Sequence, residues 1–236
     1  MIKHIPPEDQ VEEPEITNET SVGFELPNAN PQNQQQEMSN SDLMVAFSGR
    51  SRNFCVGIVH MCESDIITST LHRTQMIKYY EIFLNSMSRV LSKYNASILK
   101  NAGDSLYYYF PSTVRADKQF GFMSCVECGI ELLEIRHEIN MYLAKNTLSP
   151  LHYRVRTDYG SVVMMKSNTS LTLDMIGSPI SICSKIIQKG PDNEFIVGNE
   201  LQKIVKVFND YSFEEMKGYD LPIGYNYQTY SVSRRA

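Results

Sequence analysis

The chain has 236 residues, is 42% hydrophobic and 21% charged, and carries a formal net charge of −5. That length suits one domain with an appendage, or two small domains, and is enough to bury a core without disulfide staples. Residues 1–50 hold nine acids against two bases, Lys3 and Arg50, so the remaining 20 bases and 18 acids leave a body of only +2, which excludes a strongly basic nucleic-acid footprint.

The chain opens without an apolar core in residues 1–10, so no secretory signal is expected. No apolar run anywhere reaches the roughly 18–20 residues that span a bilayer. Residues 1–45, with Pro6, Pro7, Pro14, Pro27, Pro31 and the run Gln32-Asn33-Gln34-Gln35-Gln36, read as a disordered acidic tail, because they offer too little apolar surface to repay ordering. The folded domain is expected over 46–236. Five cysteines (Cys55, Cys62, Cys125, Cys128 and Cys183) are an odd number in largely apolar or periodic contexts, which points to a reducing, cytoplasmic setting rather than a disulfide scaffold. Cys125 and Cys128 lie inside an amphipathic pattern with no second pair, so buried thiols are expected there and not a zinc site.

Residues 54–59, Phe-Cys-Val-Gly-Ile-Val, are a short apolar run of the kind found in buried strands. Leu71, Ile77, Tyr80, Phe83, Leu84, Met87, Val90 and Leu91 then recur at three- and four-residue spacing, predicting a helix over 68–94. Residues 96–100 and 105–110 read as two strands joined by Asn101-Ala102-Gly103-Asp104, a tight hairpin signal. The triple Tyr107-Tyr108-Tyr109 is a strand with alternating faces and, lacking a basic patch, not a base-stacking platform. Pro111-Ser112-Thr113 precedes a second long helix predicted over 114–145. Strands over 152–157 and 160–166 are expected around a turn at Asp158-Tyr159-Gly160, followed by a helix over 178–188 that opens with Ser178-Pro179. A strand at 195–197, a helix at 198–205 and strands at 211–216 and 227–232 complete the order. This succession predicts an α+β fold, an antiparallel-containing mixed sheet with helices packed on it, and not a doubly wound one.

Two segments carry the candidate chemistry: Val59-His60-Met61-Cys62-Glu63-Ser64-Asp65 after the first strand, and Leu99-Lys100-Asn101-Ala102-Gly103-Asp104-Ser105 in the hairpin. Adjoining strand ends would bring His60, Glu63 and Asp104 together, and carboxylates so placed suit Mg²⁺, which takes oxygen ligands. A Gly-Asp turn is also a plain hairpin tip, and a histidine at a strand end is also a hydrogen-bonded structural residue.

Taken with Tyr153–Val163, Leu173–Ile187, and Phe213–Gly218 through Tyr230-Ser231-Val232, these segments resemble, in order and spacing, the class III nucleotidyl cyclases over about 53–234. The resemblance implies a ferredoxin-like core, head-to-tail pairing as a homodimer or with another cyclase chain, and conversion of a nucleoside triphosphate to a cyclic nucleotide and pyrophosphate in intracellular signalling. It implies Mg²⁺ or Mn²⁺ in a two-metal site, with Asp104 as the second metal aspartate. His60 falls where the first should stand, and Glu63 or Asp65, three and five residues on, offers a shifted carboxylate. Lys100 and Asp174 match the adenine-reading pair, which favours ATP over GTP. Ser181 falls on the transition-state asparagine and Lys185 on the transition-state arginine, where Lys keeps the charge but loses the bidentate fork. Lys217 matches the triphosphate-binding lysine. These departures imply a divergent cyclase or a catalytically weak or inactive relative acting as a regulatory or dimerisation partner. A nucleic-acid-binding ferredoxin-like domain is disfavoured by the near-neutral body.

Overall fold

The apolar run around Val56 lies at the centre of the molecule. The structure is a computed structural model that describes residues 45–115, 117, 119–167, 173–217 and 227–235, so the predicted tail over 1–45 lies almost wholly outside the described residues. In it the run belongs to a longer strand, β1 (Val45–Met61), followed by helices α1 (Ser64–Thr70) and α2 (Arg73–Lys93). Then come β2 (Ser97–Ala102) and β3 (Ser105–Phe110), a short 3-10 turn at Pro111–Val114, α3 (Gln119–Glu134) and α4 (Arg136–Lys145). The second half runs β4 (Tyr153–Ser167), β5 (Leu173–Gly177), α5 (Ser178–Ile186), β6 (Phe195–Gly198), α6 (Asn199–Val205), β7 (Tyr211–Glu215) and β8 (Thr229–Arg234). Among the described residues the strands form one sheet in the order β2-β3-β1-β4-β6-β8-β7, with β5 added alongside β4. Only the β4–β6 pairing is parallel, which bears out the expected α+β class.

The two faces of β1 explain the layers. Cys55, Val59 and Met61 point toward α2 and α3, packing with Phe83, Met87, Leu91, Phe122 and Val126 and with Leu106, Tyr108 and Phe110 of β3. Ile58, on the opposite face, packs with Cys183 and Ile187 at α5. Burying an aliphatic or aromatic side chain of this kind is worth about 1.5–3 kcal/mol, so β1, covered on both sides, is the keel of the domain. Gly57 sits where the strand passes closest to β3: a Cβ there would lie 2.3 Å from the Tyr108 ring.

Three expectations are corrected. The predicted helix over 68–94 is two helices, broken at Leu71-His72, where His72 is extended (φ −61°, ψ 150°). In α1 the hydroxyls of Thr68, Ser69 and Thr70 bond back to carbonyls of Ser64, Asp65 and Ile66, the local competition that keeps Ser/Thr-rich helices short. The predicted helix over 114–145 is likewise divided into a 3-10 turn, α3 and α4. The turn expected at Asp158-Tyr159-Gly160 does not exist. β4 runs straight through, with Asp158 opposite Val56 and Gly160 opposite Phe54 on β1. Strand β5 was not anticipated as a strand.

Candidate functional site

Strand register puts the first candidate segment against the second. His60 on β1 is the Cα partner of Ser105 on β3, and the backbone N–H of Met61 donates to the Asp104 carbonyl at 2.9 Å. Asp104 occupies the turn between β2 and β3, after Gly103 at φ +65°, a conformation glycine adopts without strain. The turn holds the Asp104 carboxylate beside the end of β1, with His60 Nδ1 3.2 Å from Oδ1. The Ser105 hydroxyl donates to Oδ1 at 2.9 Å and the Ser64 hydroxyl to Oδ2 at 2.6 Å. His60 Nδ1 lies 3.0 Å from the Ser105 hydroxyl. The phenol of Tyr80 on α2 is pushed above 10.0 by burial and by the Asp104 charge. Burial would raise the Asp104 carboxyl, but the hydrogen bonds from Ser64 and Ser105 and the neighbouring His60 outweigh it, and the net shift is downward.

Glu63 does not join this group. It takes the left-handed conformation at φ 56° just before α1 and is exposed. Its charge is felt instead by Tyr79 of α2, whose phenol burial has already pushed up. Its side chain makes no hydrogen bond or ion pair among the described residues. Nor do those residues contain any cluster of three or more His, Cys, Asp or Glu side chains able to hold a metal ion.

The second pair does meet. Lys100 on β2 and Asp174 on β5 belong to strands that are not paired with each other, yet Lys100 Nζ donates to Asp174 Oδ2 at 2.5 Å. The ammonium also sits 5.3 Å from the centre of the Tyr107 ring, on β3. The other carboxylate oxygen of Asp174 accepts the Met175 N–H at 2.8 Å. Both side chains stay partly open, at 38% and 27% exposure, so a ligand can reach the pair from solvent.

Ser181 and Lys185 lie one turn apart on the exposed face of α5, whose opposite face buries Cys183 and Ile186. Among the described residues nothing ties them to His60 or Asp104. Lys217 is exposed in the turn after β7, and residues 218–226, which follow it, lie outside the described part. The hydroxyls of Ser64, Tyr80 and Ser105 were not foreseen as parts of the site. Serines and tyrosines of this kind are common in any sequence, and only the sheet register gathers them.

The chain order, the sheet and the juxtaposed hairpin can be compared with known folds. The adenylyl cyclase CyaB from P. aeruginosa superimposes with a TM-score of 0.71 at 18% identity, covering 82% of this chain and 98% of the other. The fold is that of a class III cyclase catalytic domain. The guanylate cyclase domain of RhGC from Catenaria anguillulae, solved in complex with GTP, gives a TM-score of 0.67 at 12% identity, with 79% and 100% coverage. A non-canonical dimeric guanylyl cyclase domain of the RhoGC fusion protein from the aquatic fungus Blastocladiella emersonii gives 0.63 at 12%, with 79% and 99% coverage. No family model matches the sequence, and no curated protein does. Among the described residues no helix is long and apolar enough to cross a membrane.

Proposed function

We propose that the chain is a cytoplasmic nucleotidyl cyclase-type domain, spanning about 46–236 behind an acidic tail, that binds ATP and converts it to cyclic AMP and pyrophosphate only weakly. The observation that carries the reading is the Lys100–Asp174 pair, at 2.5 Å and partly open on the cyclase fold. Adenine offers an acceptor at N1 and a donor amine on one edge. A lysine donor beside a carboxylate acceptor complements that edge, whereas guanine presents the opposite polarity. Lys217 then serves the triphosphate, and Ser181 and Lys185 face the reacting phosphate from α5. Those two residues are exposed on their own chain, which fits a site completed by a second copy or by another cyclase chain. Sedimentation velocity of the full-length protein is expected to show a dimer.

One observation favours a second reading, a catalytically silent partner. An imidazole stands at the end of β1 where a carboxylate would add charge stabilisation, and losing one electrostatic contact of this kind lowers rates by roughly 10²–10³. Cyclic nucleotide formation from ATP and from GTP by the full chain, with Mg²⁺ and with Mn²⁺, separates the two. Slow cyclic AMP with little cyclic GMP is expected, rising by roughly 10² in His60→Asp. No product from the wild type or from His60→Asp would sink the enzymatic reading and leave the silent partner.

A further inference from the structure

The cyclase fold leads one to expect two divalent cations held by carboxylates at the ends of β1 and the hairpin, and the donor set in this chain does not suit them. A hard cation such as Mg²⁺ demands near-octahedral oxygen coordination at about 2.0–2.1 Å. Here the described residues supply one carboxylate, Asp104, and both of its oxygens are already engaged. Oδ2 takes the Ser64 hydroxyl at 2.6 Å. Oδ1 takes the Ser105 hydroxyl at 2.9 Å and faces His60 Nδ1 at 3.2 Å. Glu63, the nearest alternative in sequence, is exposed in a left-handed conformation before α1 and forms no metal-capable cluster with His60 and Asp104 among the described residues.

We propose that Asp104 is a structural latch rather than a metal ligand, and that the site engages a nucleotide without a divalent-metal pair. The latch joins separate parts of the fold at one carboxylate: α1 through Ser64, β3 through Ser105 and β1 through His60. Each of these neighbours does for the carboxylate part of what a cation would do, stabilising its charge, and a lone carboxylate so satisfied offers a cation too few of the oxygens it needs. Hydrogen bonds to an ionised acceptor are roughly twice as strong as neutral ones, so the carboxylate is held firmly in place without a cation, and among the described residues a divalent ion lacks a second carboxylate to share it. His60 is the residue that withholds that second carboxylate. The latch also fixes the start of α1 against the hairpin that carries Lys100, which ties the geometry of the purine pair to Asp104 by packing alone.

The test separates the latch from the nucleotide-binding reading on which its second clause rests. Electron paramagnetic resonance of Mn²⁺ alone, added at about 1 mM, the weak end of oxygen-ligand cation sites, to full-length wild-type protein is expected to leave the free-ion signal unattenuated. His60→Asp is expected to attenuate it, and adding Asp104→Asn to that variant to restore it. Asp104→Asn in the wild type is expected to lower the melting temperature by roughly 3–6 °C, equally in EDTA and in Mn²⁺. A fluorescent ATP analogue is expected to bind within about threefold as tightly in EDTA as in Mg²⁺, a difference of about 0.7 kcal/mol. Wild-type attenuation of the Mn²⁺ signal that Asp104→Asn abolishes would overturn the proposal, as would a more than tenfold gain in nucleotide affinity from Mg²⁺. Failure of His60→Asp to gain Mn²⁺ would equally refute the role given to His60. Failure of the analogue to bind under any condition would count against nucleotide binding, and the Mn²⁺ and melting results would still decide the latch.

Discussion

Asp158 shows how much a single residue can hide. It lies in the middle of β4, fully buried, where a sequence reader expects a turn. Its carboxylate accepts the Tyr227 hydroxyl at 2.5 Å and the Leu201 N–H, near the start of α6, at 3.2 Å. Burial is the larger influence and pushes its pKa from 3.8 up to about 6, against the lowering effect of those bonds. Between 3.8 and about 6 the native state holds a proton that the unfolded chain has lost. Stability from this group therefore falls as pH rises through that window and is flat above it. Tyr227→Phe removes a donor to the ionised carboxylate, so it is expected to cost roughly 1.5–3 kcal/mol at pH 7.5. The loss should be smaller at pH 5, where Asp158 is protonated. Urea melts of both proteins at the two pH values check this, and an equal loss at both would contradict it. The partners of Asp158 are 43 and 69 residues away in the chain. No local pattern can announce an aspartate satisfied at that range, which is why Asp158-Tyr159-Gly160 reads as a turn.

At the scale of elements, legibility follows how local the deciding force is. The apolar run of β1, the buried stripe of α2 and the β2–β3 hairpin are set by periodicity and by a glycine turn, and all are visible in the sequence. The break between α1 and α2 is subtler. It rests on hydroxyls of Thr68, Ser69 and Thr70 folding back on their own helix, a signal that a hydrophobic pattern alone passes over. β5 escaped notice because it is short, with only Met175 of its five residues buried, and its place comes from pairing with β4. Of the site, the meeting of His60 and Asp104 could be anticipated from adjoining strand ends. The absence of Glu63 from that group could not, because the residue sits exposed in one left-handed backbone conformation before α1. The tightness of the central strands gives a direct prediction. Gly57→Ala would place a Cβ 2.3 Å from the Tyr108 ring and 2.7 Å from the Thr157 hydroxyl. Both are fixed in the core by their own hydrogen bond at 2.9 Å. Such overpacking typically costs about 1–3 kcal/mol, and calorimetry should show a drop of several degrees in Tm.

For the whole molecule, the net negative charge proves to come from nine acids within residues 1–42, and the cyclase fold, which begins with β1 at Val45, is built from a nearly neutral body. One face of the sheet carries α2 and α3 over a continuous core. On the other, Ile58 lies under α5, the helix that carries Ser181 and Lys185. The candidate ligand groups gather at the open ends and edges of the sheet: His60 and Asp104 at one meeting of strands, Lys100 and Asp174 across β2 and β5. The central claim is that this last pair reads adenine. Isothermal titration of the full-length protein with ATP and with GTP tests it most directly, beside Lys100→Ala and Asp174→Ala. Tighter binding of ATP than of GTP is predicted, with each substitution weakening ATP by roughly tenfold, about 1.4 kcal/mol, and leaving GTP nearly unchanged. ATP and GTP binding with equal affinity, or ATP affinity indifferent to both substitutions, would contradict it.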